Sequence, residues 1–249
     1  MEEKQLSSMR KDLHSRFLIP LSSPTFRRPN SLRLSRIQSP YLLDVHIGLA
    51  PSKAKGKVTL VRGSFEYHHY MQDRLDDSGW GCAYRSLQTI ASWLYLQGYT
   101  EKATPTHRQI QQALVEVGDK LPSFLGSKQW IGSTEVSYVL DHIFSIQCKI
   151  SHASSGLEMS SKIREIIHHL ETHGSPMMIG GGVLAHTIIG IDFNEETGDV
   201  AYLVLDPHYT GPEDLKVIQS KGWCGWKGPD FWSANSFYNI CMPLKPSGY

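Results

Sequence analysis

The apolar residues of this 249-residue chain change their period part-way along it, and that change narrows the folds open to it. In the first two-thirds they recur at helical spacing. Ala83, Leu87, Ile90 and Leu94 form one stripe over 82–97, and Gly98 follows as a stop. Thr106 and Gln109 read as a capping box ahead of Ile110, Ala113, Leu114 and Val117. Ser133 is placed to cap a third helix with Val136, Val139, Leu140 and Ile143 inward. Ile163, Ile166, Ile167 and Leu170 make a fourth stripe, ended by Gly174. The period then shortens. Met177 to Gly180, Thr187 to Phe193, Val200 to Asp206 and Ser236 to Pro243 read as strands, with Asn194 to Gly198 as a turn. Val200 to Leu205 is apolar at every position, as a strand covered on both faces would be. Helices followed by antiparallel strands, with no internal repeat, predict an α+β fold.

Residues 1 to about 43 differ from the rest: they are rich in Ser, Arg and Pro and lack apolar periodicity. They are expected to be a flexible or loosely attached segment, with one domain over 44–249. Twenty-five Lys+Arg stand against 24 Asp+Glu, a balance that argues against a nucleic-acid binder working by phosphate neutralisation. No apolar run reaches the roughly 18–20 residues of a membrane span, and no signal peptide is legible, so an intracellular protein is expected. Cys82, Cys148, Cys224 and Cys241 stand far apart without a C-x-x-C pair, which fits neither a zinc ribbon nor a disulfide scaffold. Twelve histidines include no H-E-x-x-H; His169 and His173, one helical turn apart, read as solvated helix-face residues rather than metal ligands.

The chemistry is expected in two places. Asp76 to Ser86 puts two glycines around Trp80 and then Cys82 at the start of an amphipathic helix. Unpaired N–H groups and the helix dipole at that end favour a thiolate. A cysteine so placed and paired with a histidine is a nucleophile at neutral pH; its bland alternative is a small buried residue opening a helix. Asp206-Pro207-His208 ends the most apolar strand, and residues two apart on an extended segment share a side. A carboxylate beside an imidazole sets its tautomer and stabilises the imidazolium. His186, just after Gly180-Gly181-Gly182, is a rival base at the start of the preceding strand, and spacing does not choose between it and His208. The three glycines allow close backbone approach but form no P-loop. A Tyr70 hydroxyl could donate to an oxyanion, against an ordinary buried tyrosine as the alternative. Gly222 to Pro229, with Cys224, reads as a packing loop.

Together Tyr70, the run Asp76 to Thr89 around Cys82, Gln129 to Ser133, Gly180 to Thr187, Asp206 to Gly211 and Gly222 to Trp232 resemble the ubiquitin-fold-modifier-specific proteases. The similarity is closest to the catalytic domain of the longer, type 2 member and runs from about Asp44 to the C-terminus. It implies a papain-like cysteine peptidase that matures the modifier precursor and removes the modifier from conjugated lysines. Cleavage would follow the modifier's C-terminal glycine, with no cofactor or metal. By the family's order the triad maps onto Cys82, Asp206 and His208, with Tyr70 as the oxyanion donor. Trp80, Trp130, Gly180 to Gly182 and His186 are then expected around the substrate tail. The resemblance further implies work in the cytoplasm and recruitment by an adaptor to the endoplasmic reticulum surface. The longer member carries a large N-terminal domain where this chain has its 43 atypical residues, so a truncated or alternative form is expected. The autophagy-type cysteine peptidases share a W-G-C nucleophile and a D-P-H pair and are the nearest competing family. A catalytically silent binding homologue and an acyltransferase to amines would use the same residues.

Overall fold

The computed structural model describes residues 3–19, 21, 25–27 and 39–246. Its elements are α1 (Glu3–Arg16), β1 (Lys57–Leu60), α2 (Cys82–Leu96), α3 (His107–Glu116), α4 (Ser133–Phe144), β2 (Cys148–Ala153), α5 (Ile163–Thr172), β3 (Met177–Gly181), β4 (Leu184–Phe193), β5 (Val200–Leu205), α6 (Leu215–Ser220), β6 (Cys224–Lys227) and β7 (Tyr238–Pro243). The strands form one antiparallel sheet in the order β2-β7-β3-β4-β5-β6. β1 pairs with the far end of β4, where Leu60 faces Gly190 and Lys57 faces Phe193. This is the expected helical part followed by a mainly antiparallel sheet.

The sheet separates two apolar cores. Along β5, Leu203 and Leu205 enter the core shared with α2, α3 and α4, while Val200, Tyr202 and Val204 enter the one covered by α5. That alternation explains why the strand is apolar at every position: each pleat buries its side chain on whichever face it points to. α2 lies against β3 and β4 and is buried nearly all round. Its first residue therefore sits deep in the molecule beside the β3–β4 hairpin.

Several expectations hold and several are corrected. Thr106 and Gln109 form a reciprocal capping box at the start of α3. Ser133 does not cap α4; Glu135 caps the N–H of Gly132 at 2.9 Å. The Ser133 hydroxyl instead donates to the Asn239 carbonyl at 2.8 Å, tying α4 to β7. The loosely attached reading fails for part of the N-terminus: 3–16 is a helix with Ser7, Arg10 and His14 buried, and Arg27 donates to the Gln97 carbonyl at 2.5 Å. Residues 28–38 lie outside the described residues. His169 is not solvated. It is buried against the Ser175 hydroxyl at 2.7 Å, and burial first, then neighbouring histidines, lowers its pKa to about 3. The Gly222–Pro229 segment is partly edge strand β6 rather than loop.

One buried ion pair holds the start of α2. Arg85, wholly buried, donates from Nε to Asp77 Oδ2 at 2.6 Å, and Asp77 is equally buried. The remaining guanidinium donors reach Asp73 Oδ2 at 2.9 Å, the Gln72 carbonyl at 2.9 Å and Gln88 Oε1 at 3.1 Å. Asp77 also accepts from His107 Nε2 at 3.0 Å and from the Met71 N–H at 2.9 Å. Burial would raise its pKa, but the His107 and Arg85 hydrogen bonds and the Arg85 charge win and hold it below the usual carboxylate range. Removing one member of a buried, fully bonded pair strands the other charge, a loss of about 3–5 kcal/mol. Arg85→Met is therefore expected to lower unfolding free energy by about that amount in a denaturant titration. Asp77's own contribution is present above its unfolded pKa of about 4 and is lost as pH falls through its lower folded value. The difference between wild type and Arg85→Met should accordingly shrink in acid.

Candidate active site

Cys82 opens α2 directly after Gly81, and the approach of the chain there leaves no room for a side chain. A Cβ on Gly81 would lie 2.5 Å from Asp77 Oδ2. The Asp77 carbonyl accepts the Gly81 N–H at 2.8 Å and the Trp80 N–H at 3.2 Å, turning the chain into the helix. The W-G-C sequence is thus the backbone path around a buried carboxylate.

His208 reaches the same point from the end of β5. Its Nδ1 is 2.5 Å from Asp206 Oδ1, and its own N–H donates to that oxygen at 3.0 Å. Asp206 is fixed in turn by its N–H to the Trp223 carbonyl at 2.7 Å and by the Tyr67 hydroxyl, which donates to its carbonyl. With Nδ1 committed to Asp206, the buried Nε2 makes no regular hydrogen bond among the described residues. Its neighbour is the sulfur of Cys82, and the two groups bias each other's protonation. Contacts of this kind are often loose without substrate and tighten when it binds. Burial would raise the Cys82 pKa, but the adjacent His208 imidazole and its charge, the Tyr70 hydroxyl and an Ala185 backbone N–H together lower it. Burial would lower that of His208, but the Asp206 hydrogen bond, the adjacent Cys82 sulfur and the charges of both raise it to about 9. Both shifts favour the thiolate–imidazolium form of the pair over the neutral one.

Tyr70 completes the constellation. Its N–H donates to the Pro207 carbonyl at 2.9 Å, and its ring meets the His208 ring edge-on at 5.3 Å. Burial first, then the negative sulfur, pushes its phenol pKa well up, so it stays protonated and donates to the sulfur. Behind it Met71, Asp73 and Arg74 all take left-handed backbone angles near +60°, costly for residues with side chains. The Asp77 and Arg85 bonds to Met71, Gln72 and Asp73 hold this strained turn against the start of α2.

His186 has a different place from the one expected. It is buried against Phe231 and His208, with Nε2 3.9 Å from Asp206 Oδ2, and it does not line the cleft. Burial drives its pKa down to about 4, outweighing the Asp206 charge. His186 is thus a neutral, buried imidazole beside Asp206, whereas the surroundings of His208 favour its protonated form. The three ligand atoms of His186, Asp206 and His208 lie within 4.8 Å of one another, close enough to ask whether they hold a metal. The 2.5 Å contact between His208 and Asp206 is shorter than two ligands on one ion at about 2 Å each would allow, so these two meet as a hydrogen-bonded pair, with His186 beside Asp206 at 3.9 Å. Cys224 is no second nucleophile: burial pushes its thiol up to about 12.

A cleft of about 400 Å³ leads to Cys82, and Trp80, Trp130 and Gly180 to Gly182 lie along it. Trp130 is held over the entrance by its indole N–H, 2.9 Å from the Gly79 carbonyl. The Tyr84 hydroxyl anchors the same loop through the Gln129 carbonyl at 3.0 Å. Gly181 has no room for a Cβ, which would fall 2.1 Å from the Tyr238 ring. Sequence reasoning missed Ala185, whose N–H meets the sulfur, and the exposed apolar Leu184 and Phe237 on the cleft. Only the register of the β3–β4 hairpin against β7 brings them there.

A family model described as peptidase family C78 matches residues 56–241. Ufm1-specific protease 2 of Danio rerio is 54% identical over 247 residues, covering 98% of this chain and 62% of that protein. The Homo sapiens protein of the same name is 53% identical over 246 residues, 98% of this chain and 52% of its own length. A solved structure, UfSP from C. elegans, is 47% identical with a TM-score of 0.84, covering 96% of this chain and 45% of that one; the two share a papain-like fold. The chain spans about half the length of the relatives it matches. Because the matched span takes in Tyr70, Cys82, Asp206 and His208 with the helix and strands that carry them, the chain belongs to peptidase family C78.

Proposed function

We propose that this chain is a thiol peptidase that matures the precursor of the ubiquitin-fold modifier Ufm1 and releases the modifier from conjugated lysines. The observation that carries the reading is the Cys82–His208–Asp206 arrangement with the Tyr70 hydroxyl on the sulfur. The Cys82 thiolate attacks the carbonyl carbon of the modifier's C-terminal glycine. The oxygen takes up negative charge, and the Tyr70 hydroxyl, displaced from the sulfur as the thiolate is consumed, donates to it. The tetrahedral intermediate collapses with cleavage of the C–N bond, and the His208 imidazolium gives its proton to the leaving amine. His208, now neutral, takes a proton from water as the water attacks the thioester, and the thiolate and imidazolium return. No cofactor enters these steps. Trp80, Trp130, Gly180, Gly181 and Gly182 form the walls for a glycine-ended tail; His186 acts through Asp206 and not on substrate.

The names of the matched relatives favour Ufm1 over an autophagy-type modifier. A silent binding homologue would not need a thiol pKa lowered against burial. Cytoplasmic action and adaptor-dependent recruitment to the endoplasmic reticulum surface complete the reading and rest on the family resemblance. No helix among the described residues is long and apolar enough to cross a membrane.

Incubation with Ufm1, ubiquitin and an autophagy modifier, each carrying a C-terminal electrophile, tests the reading. Labelling of Cys82 by the Ufm1 probe alone is expected, abolished in Cys82→Ala and preserved in His186→Ala; equal labelling by all three would overturn the substrate class. Tyr70→Phe should lower kcat on a Ufm1–coumarin substrate by about 10²–10³, the usual value of one oxyanion donor. Trp130→Ala should raise KM more than it lowers kcat. Gly181→Val would test folding rather than the channel, because of Tyr238.

The ion pair also predicts the pH dependence of kcat/KM. Activity requires the thiolate, so the acid limb should fall below the ordinary thiol range. It requires the imidazolium, which His208 keeps until the pH passes about 9. Asp206→Asn removes the largest group opposing the burial of His208, so the alkaline limb should move to lower pH. A limb that stays in place would mean that Asp206 does not hold the His208 proton.

A further inference from the structure

His69 precedes the oxyanion tyrosine and is almost wholly buried, yet none of the catalytic steps uses it. Its Nδ1 lies 2.8 Å from the Tyr70 carbonyl and 3.1 Å from the Tyr209 carbonyl. Its Nε2 lies 3.0 Å from Glu213 Oε1. The rings of Tyr67 and Tyr209 flank it at 5.2 and 4.9 Å, so Glu213 is the charged group bonded to it. Every one of its ring's hydrogen-bond partners is an oxygen with no proton to give. A neutral imidazole carries one N–H and would point a bare lone pair at either the carboxylate or the two carbonyls. Only the imidazolium donates at both ends.

Glu213 fits that partner. Burial would raise its pKa, but the His69 and Gln72 hydrogen bonds and the His69 charge lower it. Gln72 closes the ring of bonds. Its amide donates to Glu213 Oε1 at 2.6 Å and to the Tyr67 carbonyl at 3.2 Å, and its oxygen accepts the His69 N–H at 3.0 Å. The Leu42 N–H donates to the other Glu213 oxygen at 3.2 Å.

The two carbonyls joined by this ring belong to different catalytic segments. Tyr70 supplies the oxyanion hydroxyl, and Tyr209 directly follows His208. We propose that His69, held as an imidazolium by Glu213, is a positioning residue that sets the spacing between the Tyr70 hydroxyl and the His208 ring. This rests on the peptidase reading and adds to it the device that keeps acid and oxyanion donor in register. Without the clamp the strained turn after Tyr70 relaxes away from the end of β5, and the hydroxyl misses the developing oxyanion.

The decisive variant is Glu213→Gln, which keeps shape and removes charge at a partly exposed position. Its folding is checked by thermal melting, with His69→Gln run beside it. Side-chain nitrogen NMR of the wild type should show, besides His208, one buried histidine donating from both ring nitrogens, a signal absent from His69→Gln and altered in Glu213→Gln. On Ufm1–coumarin both variants should lose about tenfold or more in kcat with KM changed less than about twofold. Alkylation of Cys82 by iodoacetamide, which needs no oxyanion donor, should change less than about twofold. A singly protonated His69 ring, or a folded Glu213→Gln protein with wild-type kcat, overturns the proposal. If the wild type itself leaves Ufm1–coumarin intact, the peptidase reading fails instead, while the NMR result still decides the protonation of His69.

Discussion

The site depends on the buried pairing of Asp77 with Arg85. Three segments meet on it: the left-handed stretch after Tyr70, the Asp77-to-Cys82 entry into α2, and His107 at the start of α3. Taking two charges out of water is costly, and such a pair persists only when every remaining lone pair and proton is satisfied. Here that condition is met almost to the last donor, and meeting it forces the Tyr70 loop and the start of α2 into one geometry. The charge pair thus acts less as a source of stability than as a rule about which backbone paths are compatible with it. Gly81 is one consequence, since any side chain there would displace the carboxylate.

Two histidines beside one aspartate illustrate how environment assigns chemical roles. His186 and His208 both stand within reach of Asp206, and both are largely removed from solvent. For His186 burial dominates and the ring stays neutral, whereas His208 has a direct carboxylate bond and a negative sulfur as well, enough to reverse the penalty. His208 is hydrogen-bonded to Asp206 at 2.5 Å, whereas His186, at 3.9 Å, lies beyond hydrogen-bond reach. A charge-assisted hydrogen bond of proper geometry outweighs desolvation; a looser contact does not. That difference gives the two imidazoles opposite shifts, down for His186 and up for His208.

Much of this was legible from residue order. The stripes that predicted α2 through α5 and the alternation behind the strands are local consequences of periodicity, and they emerge close to their expected ends. Cys82 at a helix start and Asp206 with His208 at a strand end are also local patterns. Other features were not visible because they depend on contacts between distant segments. β1, β2 and β6 are short and partly exposed, with too little apolar alternation to mark them. α1 has a polar buried face, so it lacks the apolar stripe by which a helix is ordinarily found. Ser133 looked like a cap because caps are local, but a carbonyl of β7, more than a hundred residues away, took its hydroxyl.

Residue order was enough for the class of fold, for Cys82 at a helix start and for Asp206 with His208 at a strand end, because each follows from spacing along a helix or strand. Likeness to a known family added which imidazole to expect beside the thiol. Three things waited on the closed fold: the different surroundings of the two histidines, the Ala185 N–H near the sulfur, and the bonds of Asp77, Arg85, His69 and Glu213 around the Tyr70 turn. Periodicity records which face of an element is buried. Protonation and register depend on contacts of about 3 Å between segments more than a hundred residues apart, and those exist only once the sheet and its helices have closed.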